Sequence, residues 1–130
     1  MQESEAQGKA ILIVEDNQLN LKLMRTLLTR EGYRVASASS AAETRQVLAT
    51  FRPQLVLMDI QLPDGNGVDL ARHLKSEDAT RDLVIVALTA YDGKGEAEKA
   101  LAAGCAGYIT KPVDARTLPA VLGKYLDATT

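Results

Sequence analysis

Asp59 closes the apolar run Leu55-Val56-Leu57-Met58 and is followed by Ile60-Gln61-Leu62-Pro63-Asp64-Gly65, so one carboxylate stands where a buried strand ends and a turn begins. Upstream, Ala10-Ile11-Leu12-Ile13-Val14 ends in two more acids, Glu15 and Asp16. Downstream, Leu83-Val84-Ile85-Val86-Ala87-Leu88 ends in Thr89, and Gly107-Tyr108-Ile109-Thr110 ends in Lys111-Pro112. Three carboxylates brought together repel one another and raise one another's pKa. A divalent cation relieves that repulsion, and an oxygen-only set with few protein ligands suits Mg2+, which keeps several waters. A carboxylate nucleophile, a metal, a lysine and a hydroxyl are the parts of a site for phosphoryl transfer to aspartate. That chemistry asks mainly for positioning and for neutralising charge on the transferred group. Taken singly, each residue has an ordinary structural reading: acids at strand ends cap the next helix, and a lysine there is solvated. The argument rests on all five standing at matching strand ends.

The elements that must gather them alternate along the chain. Strands are predicted at 10–14, 34–38, 54–59, 83–88 and 106–110, and helices at 18–31, 41–50, 67–76, 94–103 and 115–127. The first helix has Asp16 or Asn17 as its N-cap and Gly32 just past its end, and the second starts at Ser39 or Ser40. Pro119 would clash inside a helix begun at Asp114, so the last helix is expected to start late, near Thr117, with the proline in its first turn. Five strand-then-helix units imply an α/β fold: a doubly wound, flavodoxin-like parallel sheet of five strands with right-handed crossovers. The 34–38 run is the least apolar and reads as an edge, which favours the order 2-1-3-4-5. Ligands of such sheets bind beyond the carboxyl ends of the strands, here in the crevice between the first and third, where Glu15, Asp16 and Asp59 would meet.

The chain has 130 residues, one domain by length, with residues 1–8 expected to be a disordered segment, 9–127 the folded domain and 128–130 a tail. A net charge of −2 and a pI near 5.4 argue against a nucleic-acid-binding surface. No apolar run has the length of a membrane span, and no basic segment precedes a hydrophobic one at the start, which points to a cytoplasmic protein. Cys105 is the only cysteine, so an internal disulfide and a cysteine-rich zinc site are excluded; it reads as a small buried residue.

Glu15-Asp16-Asn17, Asp59 within Leu57-Met58-Asp59-Ile60-Gln61-Leu62-Pro63, Thr89-Ala90, and Tyr108-Ile109-Thr110-Lys111-Pro112 resemble, in order and spacing, the motifs of response-regulator receiver domains of two-component signalling. The resemblance covers nearly the whole chain. Leu19-Asn20, Lys22-Leu23, Asp59 to Pro63 and Gly104-Cys105 are most similar to DivK-like single-domain regulators and to receivers of hybrid kinases. The resemblance implies that Asp59 accepts a phosphoryl group from a histidine kinase or a histidine phosphotransfer protein. It also implies that Glu15, Asp16, Asp59 and the backbone carbonyl of Gln61 hold Mg2+, and that Lys111 pairs with the phosphoryl oxygens. Thr89 and Ala90 would bind the phosphoryl group as part of the switch, Tyr108 would change rotamer with it, and the Lys111-Pro112 peptide would be cis. Such a protein is a regulator that assists its own phosphorylation and dephosphorylation rather than an enzyme. It would be a monomer or weak dimer that passes its signal to a downstream protein by contact, since no output domain follows residue 127.

Phosphorylation adds roughly −1.5 to −2 charge and strong acceptor oxygens. Only a state in which Thr89 and Lys111 face Asp59 gains those contacts, and a swing from 1:99 to 99:1 needs about 5.5 kcal/mol of such preference. Tyr91-Asp92-Gly93-Lys94-Gly95 carries two glycines where the fourth helix should start, either a segment built to move or an ordinary junction with Gly93 near the N-cap. Leu19, Leu23, Met24, Leu27 and Leu28 recur at helical spacing; Leu19 and Leu23 are either core or a kinase-docking patch. Gln61 is placed to orient a hydrolytic water or to shield an acyl phosphate, and His73, on the exposed side of the third helix, carries no role.

Rival classes lack their residues. A haloacid-dehalogenase-type phosphatase needs a second aspartate where Gln61 stands. A flavin carrier wants a donor-rich phosphate loop where Glu15-Asp16 would repel the ligand, and no G-x-x-x-x-G-K-[ST] occurs. The remaining alternatives are a receiver segment of a hybrid histidine kinase and a scaffold that binds without being phosphorylated.

Overall fold

The computed structural model describes residues 9–89 and 95–127; the expected disordered segment 1–8, the tail 128–130, and Ala90, Tyr91 and Gly93 of the expected switch lie outside them. In chain order the elements are β1 (Ala10–Val14), α1 (Gln18–Arg30), β2 (Arg34–Ala38), α2 (Ala41–Leu48), β3 (Leu55–Asp59), β4 (Gln61–Leu62), β5 (Gly65–Asn66), α3 (Gly67–Ser76), β6 (Val84–Thr89), α4 (Glu96–Ala102), β7 (Gly107–Thr110) and α5 (Leu118–Asp127). The main sheet runs β2-β1-β3-β6-β7, with every pair parallel, which is the 2-1-3-4-5 order expected of its five strands.

β1 and β3 are buried at every position because helices cover both faces of the sheet. Alternate side chains enter two cores. Leu12, Val14, Val56, Met58, Ile85 and Ala87 pack with α2, α3 and Ala100 of α4. Ile11, Ile13, Leu55, Leu57, Val86 and Leu88 pack with Met24 and Leu28 of α1 and with Leu118, Leu122 and Leu126 of α5. The register aligns the strand ends that matter: Val14 pairs with Met58, Asp59 with Leu88, and Thr89 with Thr110.

The caps follow from local chemistry. Asn17 accepts the N–H of Asn20 at the start of α1, Ser40 accepts that of Glu43 at α2, and Asn66 accepts that of Val68 at α3. α5 begins at Leu118 after a turn in which the Leu118 N–H reaches the Asp114 carbonyl at 3.0 Å, so Pro119 sits in the first turn as its fixed φ requires.

Two features differ from the sequence reading. The Pro63-Asp64-Gly65 turn is the tip of a small antiparallel ribbon in which Gln61 pairs with Asn66 and Leu62 with Gly65. The inner face of α1 is Met24 and Leu28, flanked by half-buried Leu21 and Leu27, while Leu19 is 80% and Leu23 46% exposed. Helical spacing allows either face; the sheet, by taking Met24 and Leu28, leaves Leu19 and Leu23 outward and removes the core reading for both. Cys105 is buried among the first cluster and His73 is exposed, as expected.

Candidate functional site

The three acids converge because β1 and β3 are neighbours that end at the same level. Glu15 is fully buried, its N–H bonded to the Ala38 carbonyl at 3.0 Å, and Asp59 is only 3% exposed, while Asp16 faces solvent. One carboxylate oxygen from each of Glu15, Asp16 and Asp59 lies within 4.8 Å of the others. Asp59 Oδ1 accepts the Gln61 N–H at 2.9 Å, and Oδ2 receives Lys111 Nζ at 2.6 Å. Lys111 Nζ also lies 3.4 Å from Glu15 Oε1. The lysine reaches across because its own N–H donates to the Thr89 carbonyl at 2.8 Å, extending the β6–β7 register past the last paired residues. The Lys111-Pro112 peptide is cis. Thr89 is buried at the end of β6, and Tyr108 is 45% exposed.

Burial pushes the Glu15 carboxyl up to about 7, reinforced by its hydrogen bond to Asp59 and the negative charge there; Lys111 and the Asn17 N–H pull the other way. Burial alone would lower Lys111, but its hydrogen bond to Asp59 and the charges of Asp59 and Glu15 outweigh that and hold it above its ordinary value. One ammonium against three carboxylates leaves the cluster over-supplied with negative charge. The donor set is all oxygen, compact, half open and free of nitrogen or sulfur ligands, which fits a small hard cation such as Mg2+.

Two residues were not assigned to the site from sequence. Asn20, one turn into α1, donates its side-chain N–H to Glu15 Oε1 at 3.3 Å; its spacing from Glu15 was legible, its direction was not. Asp64 accepts the backbone N–H groups of Ala41 and Ala42 at 2.8 and 3.0 Å, which hold its carboxyl below the usual range. No local signal reveals a contact 22 or 23 residues away. Of the expected docking pair, Leu23 lines a groove of about 440 Å3 together with Glu15, Asn20, Lys111 and Pro112, and Leu19 does not. Of the remaining expected residues, Gln61 is exposed on β4, and Ala90 lies outside the described residues.

Comparison with known proteins agrees with this geometry. The family model for the response regulator receiver domain matches residues 11–123. The polar-differentiation response regulator DivK of Brucella anthropi is 37% identical over 118 residues, 91% of this chain and 96% of that protein. A CheY-like response regulator receiver domain protein of Methanospirillum hungatei superposes with a TM-score of 0.85 at 31% identity, covering 93% of this chain and 95% of that one. The receiver domain of a sensor histidine kinase from Pseudomonas aeruginosa superposes with a TM-score of 0.83 at 31% identity over 92% of this chain and 98% of that one; that structure holds a magnesium ion in its active-site cleft.

Proposed function

This chain belongs to the response regulator receiver domain family of two-component signalling, and from that premise we propose that it is a Mg2+-dependent phosphoacceptor switch acting in the cytoplasm. One observation carries the reading: Asp59 is buried at a strand end with a lysine ammonium 2.6 Å from one oxygen and two further carboxylates within 4.8 Å. That is a nucleophile in a cluster which binding of a dication and then a phosphoryl group would complete.

In this reading a carboxylate oxygen of Asp59 attacks the phosphorus of a phosphohistidine on a histidine kinase or phosphotransfer protein. The phosphorus–nitrogen bond breaks, its electron pair leaves with the imidazole, which takes up a proton from water, and an acyl phosphate remains on Asp59. Glu15, Asp16, Asp59 and the Gln61 carbonyl would hold Mg2+, which supplies neutralisation of the transferred oxygens. Lys111 is already bound to Asp59 and can exchange that contact for a phosphoryl oxygen. Thr89, one residue beyond the Leu88 that pairs with Asp59, supplies a hydroxyl, and the exposed ring of Tyr108 is free to report the change on the protein's surface. Gln61, whose backbone N–H donates to Asp59, would orient the water that ends the signal or shield the acyl phosphate from it.

Intact-mass measurement after incubation with acetyl phosphate tests this. A Mg2+-dependent gain of one phosphoryl group is expected, absent in Asp59→Asn; an unmodified wild type, also blind to beryllofluoride, would leave a binding scaffold. Leu19 and Leu23, both exposed on α1, with Leu23 lining the groove that leads to Lys111, form the proposed docking patch for the phosphodonor. Leu19→Asp should stay folded and still accept phosphate from acetyl phosphate, yet lose transfer from its kinase; undiminished transfer would dismiss the patch. The similarity to a sensor kinase's receiver supports a second reading, a receiver segment that relays within a hybrid kinase. The protein would work as a monomer or weak dimer.

A further inference from the structure

The loop that follows Asp59 is held at both ends. At the near end, Gly67 packs so closely that a Cβ there would overlap the Asp59 carbonyl oxygen and lie 2.6 Å from Ile60 Cα, and its N–H bonds the Ile60 carbonyl at 2.8 Å. Between the ends run β4 and β5, a ribbon of only two residue pairs, too short to set its own position. At the far end Asp64 grips α2 with both carboxylate oxygens, at 2.8 and 3.0 Å.

α2 does not depend on that grip for its cap. Ser40 Oγ accepts the Glu43 N–H at 3.0 Å, and the Glu43 carboxylate reaches back to the Ser39 N–H, one residue before the cap, so the helix start has its own side-chain partners. The N–H groups of Ala41 and Ala42 stand at an exposed helix start where water can serve them. The contact therefore matters more to the ribbon than to the helix. It also closes a circuit: α2 follows directly on β2, whose last residue, Ala38, accepts the N–H of Glu15. Asp64 thus ties the segment bearing Gln61 to the segment that fixes Glu15.

From this juxtaposition we infer that Asp64 is a positioning residue, a latch that sets the Gln61 backbone against Glu15 and Asp59 and so tunes the site's affinity for Mg2+. The inference rests on the proposed reading of the site as a Mg2+-dependent phosphoacceptor. Loss of the latch lets the ribbon shift about its Gly67 end, so one oxygen donor no longer stands ready when the cation arrives.

The test is a Mg2+ titration followed by amide NMR shifts in the wild type, Asp64→Ala, Asp64→Asn and Ser40→Ala. Asp64→Ala should bind Mg2+ about 10-fold more weakly, the low end of what losing a ligand's hydrogen-bonded support costs. Asp64→Asn keeps one acceptor oxygen and should fall between. Ser40→Ala, which loosens the start of α2 without releasing the ribbon, should lower the thermal midpoint yet leave the affinity within about 2-fold of the wild type, well below the loss of a ligand's support. Wild-type affinity in Asp64→Ala overturns the latch and leaves the phosphoacceptor reading standing. Equal weakening in Ser40→Ala also overturns it, since the effect would then be a general loosening of α2. No Mg2+ binding by the wild type overturns the reading and the latch together.

Discussion

The two connections that leave the central strands at the site are built differently. After β3 the backbone is held at four points: Gln61 N–H on Asp59, Asp64 on α2, the Asn66 cap on Val68, and Gly67 against Asp59 and Ile60. After β6 the helix begins at Gly95, in the left-handed region at φ 87°, with no side-chain cap hydrogen bond, and runs for 7 residues against the 10 of α3. The segment after β3 thus has its atoms fixed in advance, which is what positioning chemistry requires. The described helix after β6 starts instead from a glycine in the left-handed region, a backbone that an L side chain resists.

Gly67→Ala attacks the held side directly and should have the largest effect. Its Cβ meets backbone rather than a flexible side chain, so the site must deform, at about 3 kcal/mol in chemical denaturation, the upper end for overpacking. An unchanged midpoint would mean that this close approach is not required.

A middle-sized effect should come from pH. Glu15 holds its proton up to about 7 when folded, against an ordinary 4.5. The folded state binds the proton more tightly than the unfolded chain, so this group's stabilisation is full below 4.5 and is lost as the metal-free protein is taken up through about 7. Mg2+ competes with that proton, so its stabilisation should be larger at about pH 8 than at about pH 5.5. Thermal melts with and without Mg2+ at both pH values measure it; an equal Mg2+ shift at each would show Glu15 ionised throughout. The smallest effect is expected at the start of α4. Gly95→Ala meets open space, and only the left-handed backbone resists, so it should cost about 1 kcal/mol; Gly95→Asn should cost less. A larger loss than in Gly67→Ala would invert the comparison.

The strands, the helix caps and the late start of α5 were legible because each depends on a few neighbouring residues: an apolar run, Asn17 or Ser40 before a helix, Pro119 needing a first turn. The sheet order followed from the weak apolarity of β2. The ribbon at Gln61–Asn66 was not legible beyond its turn, since two-residue strands carry no periodicity. Leu19 and Leu23 were ambiguous for a different reason: apolar residues on adjacent helical stripes do not say which stripe the sheet will take.

By itself the sequence determined that three acids, a hydroxyl and a lysine end their strands, because strand length and polarity are read within one segment. Only the tertiary structure decided that Lys111 bridges Asp59 and Glu15, that burial drives Glu15 up to about 7, and that Asp64 latches onto α2. Those facts depend on groups as distant in the chain as Glu15 and Lys111 coming within 3.4 Å of one another, and on the water expelled when they do.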